Sequence, residues 1–478
     1  MRNTVHRAWR IAALALLAVG SAAAARAQQS PWVIEARAAG RPATAPDGSP
    51  AELVKMAPGL ADRLLDVSHD GVVLLAGWPL AAEERGVIEL TRFDVYAPDA
   101  RIVEARGDRL VEVPRSRLVF FRGVDAADPL TRLLVTVDPD NGSLTAVTNR
   151  QGEVHELRAG GTAGTYLVAP ASSFTPDGED EPTYSCNQQT TALDKLLLPS
   201  TAPGMIAPKA ITSLHTATVA VDTDNELLSL KFGNNTTAAT NYIANLIAAM
   251  NVMYERDLLV RLVQGFTILR PSTTPDPYTG GSGSADFAKL QEFSNYWAGG
   301  CGGACSGVQR ALSMMLSGKQ SSNNSASGIA WINGLCSTSI GYSFTQVFKF
   351  AQDTSANDSR IVGHELGHNF GSPHTHCYNP TVDACFNGES GCYAGATSCP
   401  APATYNGVPN VRGTVMSYCH LLGGCSASSV FHTASVNLLA PIVQARVNQC
   451  IFPLGPPNAI FSNGFEAGLA PPWSAKVP

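Results

Sequence analysis

Charge is scarce in this 478-residue chain: Asp, Glu, Lys and Arg together make up only 15%. The formal net charge is −6, mild and of the wrong sign for a nucleic-acid partner. Beyond the N-terminus no stretch reads as a transmembrane helix. No EF-hand loop and no nonapeptide repeat occurs, so calcium is not indicated, although scattered Asp residues can still supply a site. Cysteine is almost missing from the first part of the chain. Of eleven cysteines, Cys186 stands alone and the rest lie between Cys301 and Cys450.

What is present begins with an export signal. Arg2, Arg7 and Arg10 form a charged region, Ile11 to Gly20 an apolar core, and Ala25-Arg26-Ala27 a small-x-small cleavage site. Residues 1–27 are therefore expected to be removed, leaving an exported chain with no membrane anchor. The even set of ten cysteines agrees, because in an oxidising compartment such a set reads as disulfides. Ten cysteines allow roughly 900 pairings, so none is assigned. Their short gaps from Cys377 to Cys425 suggest stapled loops. A second zinc site built from them is the rival reading, but the spacings match no zinc pattern well.

The length suggests roughly two to four domains. Residues 28 to about 60 are Ala- and Pro-rich with little periodicity. From Gly71 to Pro170 short β-branched runs such as Val87–Phe93 and Leu133–Val137 read as strands. Asp138-Pro139-Asp140-Asn141-Gly142 is a hairpin turn, with Ser143–Val147 returning. The reading is an independent β-domain over 28–170. A linker, 171–210, carries an acidic cluster at 172–182 and a breaker cluster at 199–204, with Cys186 between them. Such stretches are where an exposed chain is most easily cut.

Residues 211–452 are sparse in charge. Ala217–Asp222 reads as a strand and Tyr242 to Tyr254 as a long amphipathic helix. Leu258–Val263 is the next strand, followed by a helix from Phe287 to Trp297 capped by Ser284. Two more strands follow, Ala311–Leu316 and Gly328–Ile332, then a helix beginning near Asp358 or Ser359. The tail, 453–478, is Pro-rich and too short to fold alone.

That last helix carries His364-Glu365-Leu366-Gly367-His368-Asn369-Phe370-Gly371-Ser372-Pro373-His374. His364 and His368 are one turn apart and share a face, so both can ligate one Zn2+. Glu365 can reach a zinc-bound water as general base. Gly371 can take positive φ and end the helix, and Pro373 discourages its return. His374 can then swing back as the third ligand, leaving the fourth position open, as catalysis requires. His376 is a competitor with a poorer offset, expected to support the site or lie on the surface, as are His420 and His432. About forty residues on lies Gly413-Thr414-Val415-Met416-Ser417-Tyr418.

The extended zinc string followed by a Met-containing turn resembles the metzincin clan of zinc endopeptidases, and most closely its reprolysin or adamalysin branch. The resemblance implies an α/β (α+β) metzincin-like catalytic domain over 211–452, with a mixed twisted sheet and a zinc helix, preceded by a mainly-β pro-domain. It implies that Met416 forms an apolar floor under the histidines and that Gly328 to Gly334 is an edge strand pairing with substrate. Two departures stand out. Thr375 occupies the position after the third His where reprolysins usually carry Asp, and Tyr418 two after Met is the serralysin or astacin pattern. Tyr418 can serve as a fifth zinc ligand, as a donor to the oxyanion, or as an ordinary buried tyrosine.

Together these readings imply a secreted zinc endopeptidase made as a zymogen, a monomer acting on protein or peptide substrates. A non-catalytic adhesin or binding module on the same scaffold is the alternative. It would usually lose Glu365 or a histidine, and this chain keeps all four. Cys186 can occupy the open zinc position in the latent form, since a thiolate is a good zinc ligand. A free linker thiol or an intermolecular disulfide are its plainer fates.

Overall fold

The computed structural model describes residues 32–174, 185–189, 211–319, 326–347 and 355–454. The expected signal peptide, most of the linker and the tail beyond residue 454 lie outside them. From the N-terminus run β1 (Trp32–Glu35), β2 (Arg37–Thr44), β3 (Pro50–Met56), α1 (Leu60–Leu65), β4 (Val72–Ala81), β5 (Glu84–Phe93), β6 (Ile102–Arg106), β7 (Arg109–Val113), β8 (Val119–Asp125), β9 (Arg132–Val137), β10 (Leu144–Arg150), β11 (Glu153–Ala159), β12 (Thr165–Pro170) and β13 (Ser185–Gln189). Then come β14 (His215–Thr223), α2 (Thr236–Leu258), β15 (Val260–Leu269), α3 (Phe287–Ala298), β16 (Leu312–Ser317), β17 (Ala326–Trp331), β18 (Tyr342–Gln346), α4 (Ser355–Phe370), β19 (Ala403–Tyr405), β20 (Val408–Val411), α5 (Thr433–Ala445) and β21 (Ile451–Pro453). No helix among the described residues is long and apolar enough to cross a membrane.

The N-terminal strands build a ten-stranded, mostly antiparallel sheet in the order β1-β4-β5-β8-β9-β10-β11-β12-β3-β2. Its alternating apolar residues close on one core, in which Leu75, Trp78, Ile88, Phe121 and Val135 are fully buried. The turn at 138–142 forms as read: Gly142 takes φ 68° and Leu144 faces Val137 across the hairpin. Strands β2 and β3 arise in the stretch read as aperiodic. Strand β2 lies at the sheet's edge with most of its side chains exposed, so it carries no inward alternation. Strand β3 does bury Ala51, Val54 and Met56.

The second sheet is mixed, with nine strands in the order β13-β17-β18-β16-β14-β15-β6-β7, β21 lying antiparallel to β14. Strands β16, β14 and β15 are parallel, and β17 runs antiparallel to β18. This mixed α/β arrangement is compatible with a metallopeptidase domain. Three of its strands come from unexpected places. Hairpin β6–β7 of the N-terminal region extends one edge, β6 parallel to β15. Strand β13 covers the other edge, parallel to β17. The N-terminal β-region is therefore not an independent unit.

Local signals set the helices. Asn235 caps α2 by accepting from Ala238 N at 3.0 Å. Asp286, not Ser284, caps α3, accepting from Lys289 N at 3.0 Å. Helix α4 begins at Ser355, a turn earlier than the sequence suggested. Strand β18 went unread although Tyr342-Ser343-Phe344-Thr345-Gln346 has a strand's composition. All ten cysteines from Cys301 on pair, as Cys301–Cys305, Cys336–Cys450, Cys377–Cys392, Cys385–Cys419 and Cys399–Cys425. This disposes of the cysteine-zinc rival. Cys336–Cys450 spans 114 residues. In the chain-entropy picture such a loop is worth about 4–5 kcal/mol, and it ties the end of the chain to the loop after β17.

Candidate active site

Helix α4 is held at both ends. On one side Tyr254 of α2 donates to Gly363 O at 2.7 Å and packs edge-on against Phe370. On the other, Asn369 Nδ2 donates to Trp331 O at 2.8 Å and Tyr342 O at 2.9 Å, fixing the helix to β17 and β18. Asn333 N and Leu335 N then take the carbonyls of His368 and Asn369, both at 2.9 Å. Gly371, at φ 121°, ends the helix, and Ser372 N closes back on Gly367 O at 3.0 Å. These contacts satisfy terminal carbonyls that would otherwise be orphaned, and they turn the chain so that His374 returns to the helix.

The three histidines of the string come together, and their tautomers follow from their partners. His364 Nδ1 lies 2.6 Å from Val415 O, and His368 Nδ1 lies 2.7 Å from Ser372 O. A carbonyl only accepts, so each Nδ1 carries the proton and each Nε2 keeps its lone pair. His374 Nδ1 is 2.7 Å from Glu389 Oε2. Burial raises the Glu389 carboxyl, but His374, and His376 after it, outweigh burial and hold it down to about 2. It is thus a carboxylate, and His374 Nδ1 also donates. The free lone pairs converge: His368 Nε2 is 3.1 Å from His364 Nε2 and 3.2 Å from His374 Nε2.

All three rings are buried. Burial, followed by mutual repulsion, holds His364 and His368 well below the usual imidazole range. Burial also lowers His374, with Glu389 opposing it. Three neutral imidazoles with lone pairs facing one another suit a cation and little else. Two nitrogens bound at about 2.05 Å to a tetrahedral ion stand about 3.3 Å apart, close to the spacings found. The donor set fits zinc.

The other residues singled out by the sequence surround this point. Glu365 is fully buried and directs its carboxylate at β17, where a methyl group added at Gly328 would lie 1.9 Å from Oε1. Met416 is also fully buried, directly beneath α4; a methyl group at Gly367 would meet its sulfur at 2.6 Å. Its carbonyl accepts from Thr375 N at 3.0 Å, which fixes the return of the chain after His374. The Tyr418 ring stacks on His364 and sits 4.5 Å, centroid to centroid, from His374. His376 is buried behind His374 and donates through Nε2 to Glu389 at 2.8 Å. His432 instead accepts from Ala434 N at the start of α5. At Cys186 the backbone of β13 pairs opposite Gly328 of β17.

Sequence reasoning missed Glu389, the carboxylate that joins His374 to His376. It lies fifteen residues after His374 in a loop folded back by Cys377–Cys392. Only that unassigned pairing would have brought it near.

The comparison with known proteins bears on this centre. Residues 213–417 match the family model Reprolysin_5, metallo-peptidase family M12. The match spans β14 to β18, the zinc string and Met416, and supports a metalloprotease of the reprolysin type. A match to that family is what a zinc-dependent endopeptidase with protein or peptide substrates would give. No curated protein matches the chain.

Proposed function

We propose that the chain is a secreted zinc endopeptidase made as a zymogen, with Glu365 as its general base. The observation that carries the reading is the meeting of three Nε2 lone pairs, those of His364 and His374 each within 3.2 Å of that of His368, beside a buried carboxylate that faces a sheet strand. His364, His368 and His374 would hold the ion. When bound, zinc supplies a Lewis acid that polarises the scissile carbonyl and makes water more acidic. Strand β17 presents backbone for an extended peptide, which would place its carbonyl over Glu365. Glu365 takes a proton from the attacking water and passes it to the leaving amine. Tyr418, beside His374, is placed to steady the developing oxyanion. Met416 forms the apolar floor. Five disulfides fit an oxidising destination. Nothing favours the alternative of a non-catalytic binding module.

Latency follows from where β13 lies. It pairs with β17 from Ser185 to Gln189 and so takes the backbone that a substrate needs. The register of Cys186 opposite Gly328, next to Glu365, supports Cys186 as the ligand that closes the fourth zinc position in the pro-form. The reading is tested by digesting a denatured protein with the purified mature enzyme, with and without chelator, and mapping the cuts. Glu365→Gln should keep zinc near one per chain and abolish hydrolysis; more than a few per cent of wild-type turnover would remove Glu365 from its role. The uncut Cys186→Ser pro-form should be active or self-cleaving where the wild type is silent. Equal latency would leave β13's backbone as the block and end the role of the thiol.

A further inference from the structure

Both edges of the second sheet are supplied by chain that precedes β14, one by the isolated strand β13 and the other by a hairpin of the N-terminal region. At the cleft edge β13 contributes a single five-residue strand. At the far edge the attachment is deep. Strand β6 pairs with β15 over Thr267–Leu269, with Ile102 and Val103 buried. Before it, Gln264 N donates to Val95 O at 2.7 Å, Ala97 N to Gln264 O at 2.8 Å, and Thr267 N to Arg101 O at 2.9 Å. Thr136 Oγ1 and Ser116 Oγ donate to Asn245 and Asn241 of α2, and Asn149 Nδ2 to Ser429 O.

The packing says the same. Phe93, Val95, Tyr96, Ile102, Phe120 and Leu134 are buried in one continuous core with Leu246 and Met250 of α2, Phe370 of the zinc helix, and Met416. Residues supplied by the N-terminal region thus complete the core on which the histidines rest. Removing that region would bare a large apolar face and leave the backbone of β15 unpaired, a surface that monomeric proteins avoid. Hairpin β6–β7 is also separated from β17 by the whole width of the sheet, so removing it would not uncover the cleft.

We infer that the active enzyme keeps residues 32–174 as a permanently bound second chain, and that activation removes only the segment carrying Ser185–Gln189. The inference rests on the zymogen reading above. Two cuts are then needed, one on each side of β13. The sequence offers a polar, breaker-rich stretch at each place, 172–182 and 199–204. A cut at 199–204 alone leaves β13 tethered to a unit that cannot leave, so the enzyme stays latent.

The test uses the full chain, with recognition sites for a sequence-specific protease placed at 178–182, at 199–204, or at both. Cleavage in the Glu365→Gln background, free of self-digestion, followed by gel filtration and intact mass, should give one species of near-parental size. It should contain the N-terminal and catalytic chains one to one, without the β13 peptide. The same double cut with Glu365 intact should give full activity, and the single cut at 199–204 should give none. Elution of the N-terminal chain as a separate species without denaturant would overturn the inference, as would activity that appears only once that chain is gone. Co-elution with no hydrolysis in any form would uphold the bound second chain and count against the endopeptidase reading instead. Protein purified from its natural secretion supplies an independent measurement, in which both chains should be found in one complex.

Discussion

Gly328→Ala isolates the placing of Glu365, the proposed general base, from everything else at the centre. The added methyl would lie 1.9 Å from Glu365 Oε1, 2.4 Å from Cδ and 2.8 Å from Cγ, where ordinary contact begins at 3.4 Å. Strand β17 stays held by β18 and by the bond from Asn369 to Trp331 O when β13 leaves, so the end of the Glu365 side chain must give way, by about 1.5 Å. A misplacement of about 1 Å at a catalytic group costs on the order of 10²-fold, or about 2.7 kcal/mol of barrier. The metal should not notice. The three histidines are oriented by Val415, Ser372 and Glu389, none of which moves with Glu365. Nor should stability fall far, because Ala is better than Gly in a regular strand by roughly 0.5–1 kcal/mol and the clash is with a movable tip. The mature variant should therefore keep zinc near one per chain and a Tm within a few degrees of wild type, with kcat down by about 10²-fold. Glu365→Asp, which withdraws the carboxylate by about one C–C bond length, should lose a similar factor. A Gly328→Ala enzyme with unchanged kcat would show that Glu365 does not act from the position beneath β17. Loss of zinc would show that the histidines depend on it after all.

Two further outcomes follow from the same geometry. Glu389→Gln replaces the carboxylate that orients His374, and a lost partner of this kind weakens zinc binding by about 10- to 100-fold, read by competition with a chelator; unchanged affinity would reduce Glu389 to a loop contact. Its folded carboxyl is held at about 2 against an ordinary 4.5, so the stability it lends is full above about pH 4.5 and is lost progressively as pH falls from there through about 2. Tyr418→Phe should lower kcat by about 10- to 10³-fold with little change in KM, and an unchanged kcat would make Tyr418 a packing residue only.

Legibility in this chain tracks sequence distance. His364, Glu365 and His368 meet because a helix repeats every 3.6 residues, and His374 returns because Gly371 and Pro373 stop that helix; all of this lies within eleven residues. Met416 is forty residues away and was placed only through the resemblance. Glu389 is nearer, but its position depends on Cys377–Cys392, one of many pairings that spacing could not separate. Strand β18 was hidden for a different reason. Its five residues are all buried, so Ser343 and Thr345 face protein where alternation predicts solvent.

The attachment of the N-terminal region was misread because composition changes sharply at the linker while the fold does not divide there. The contradiction is visible in β15. A strand at the open edge of a catalytic sheet should defend itself with charge, Pro or a bulge facing outward. In Val260–Leu269 all ten residues are buried instead, the charged Arg261 and the polar Gln264 and Thr267 among them. Buried backbone must find partners, and those of β15 at Gln264 and Thr267 are Val95, Ala97 and Arg101. The edge of β15 is thus covered by chain that composition assigns to a different region. On the proposed zymogen reading the single strand β13 meets the opposite requirement: it must be stable enough to keep the cleft shut and weak enough to leave.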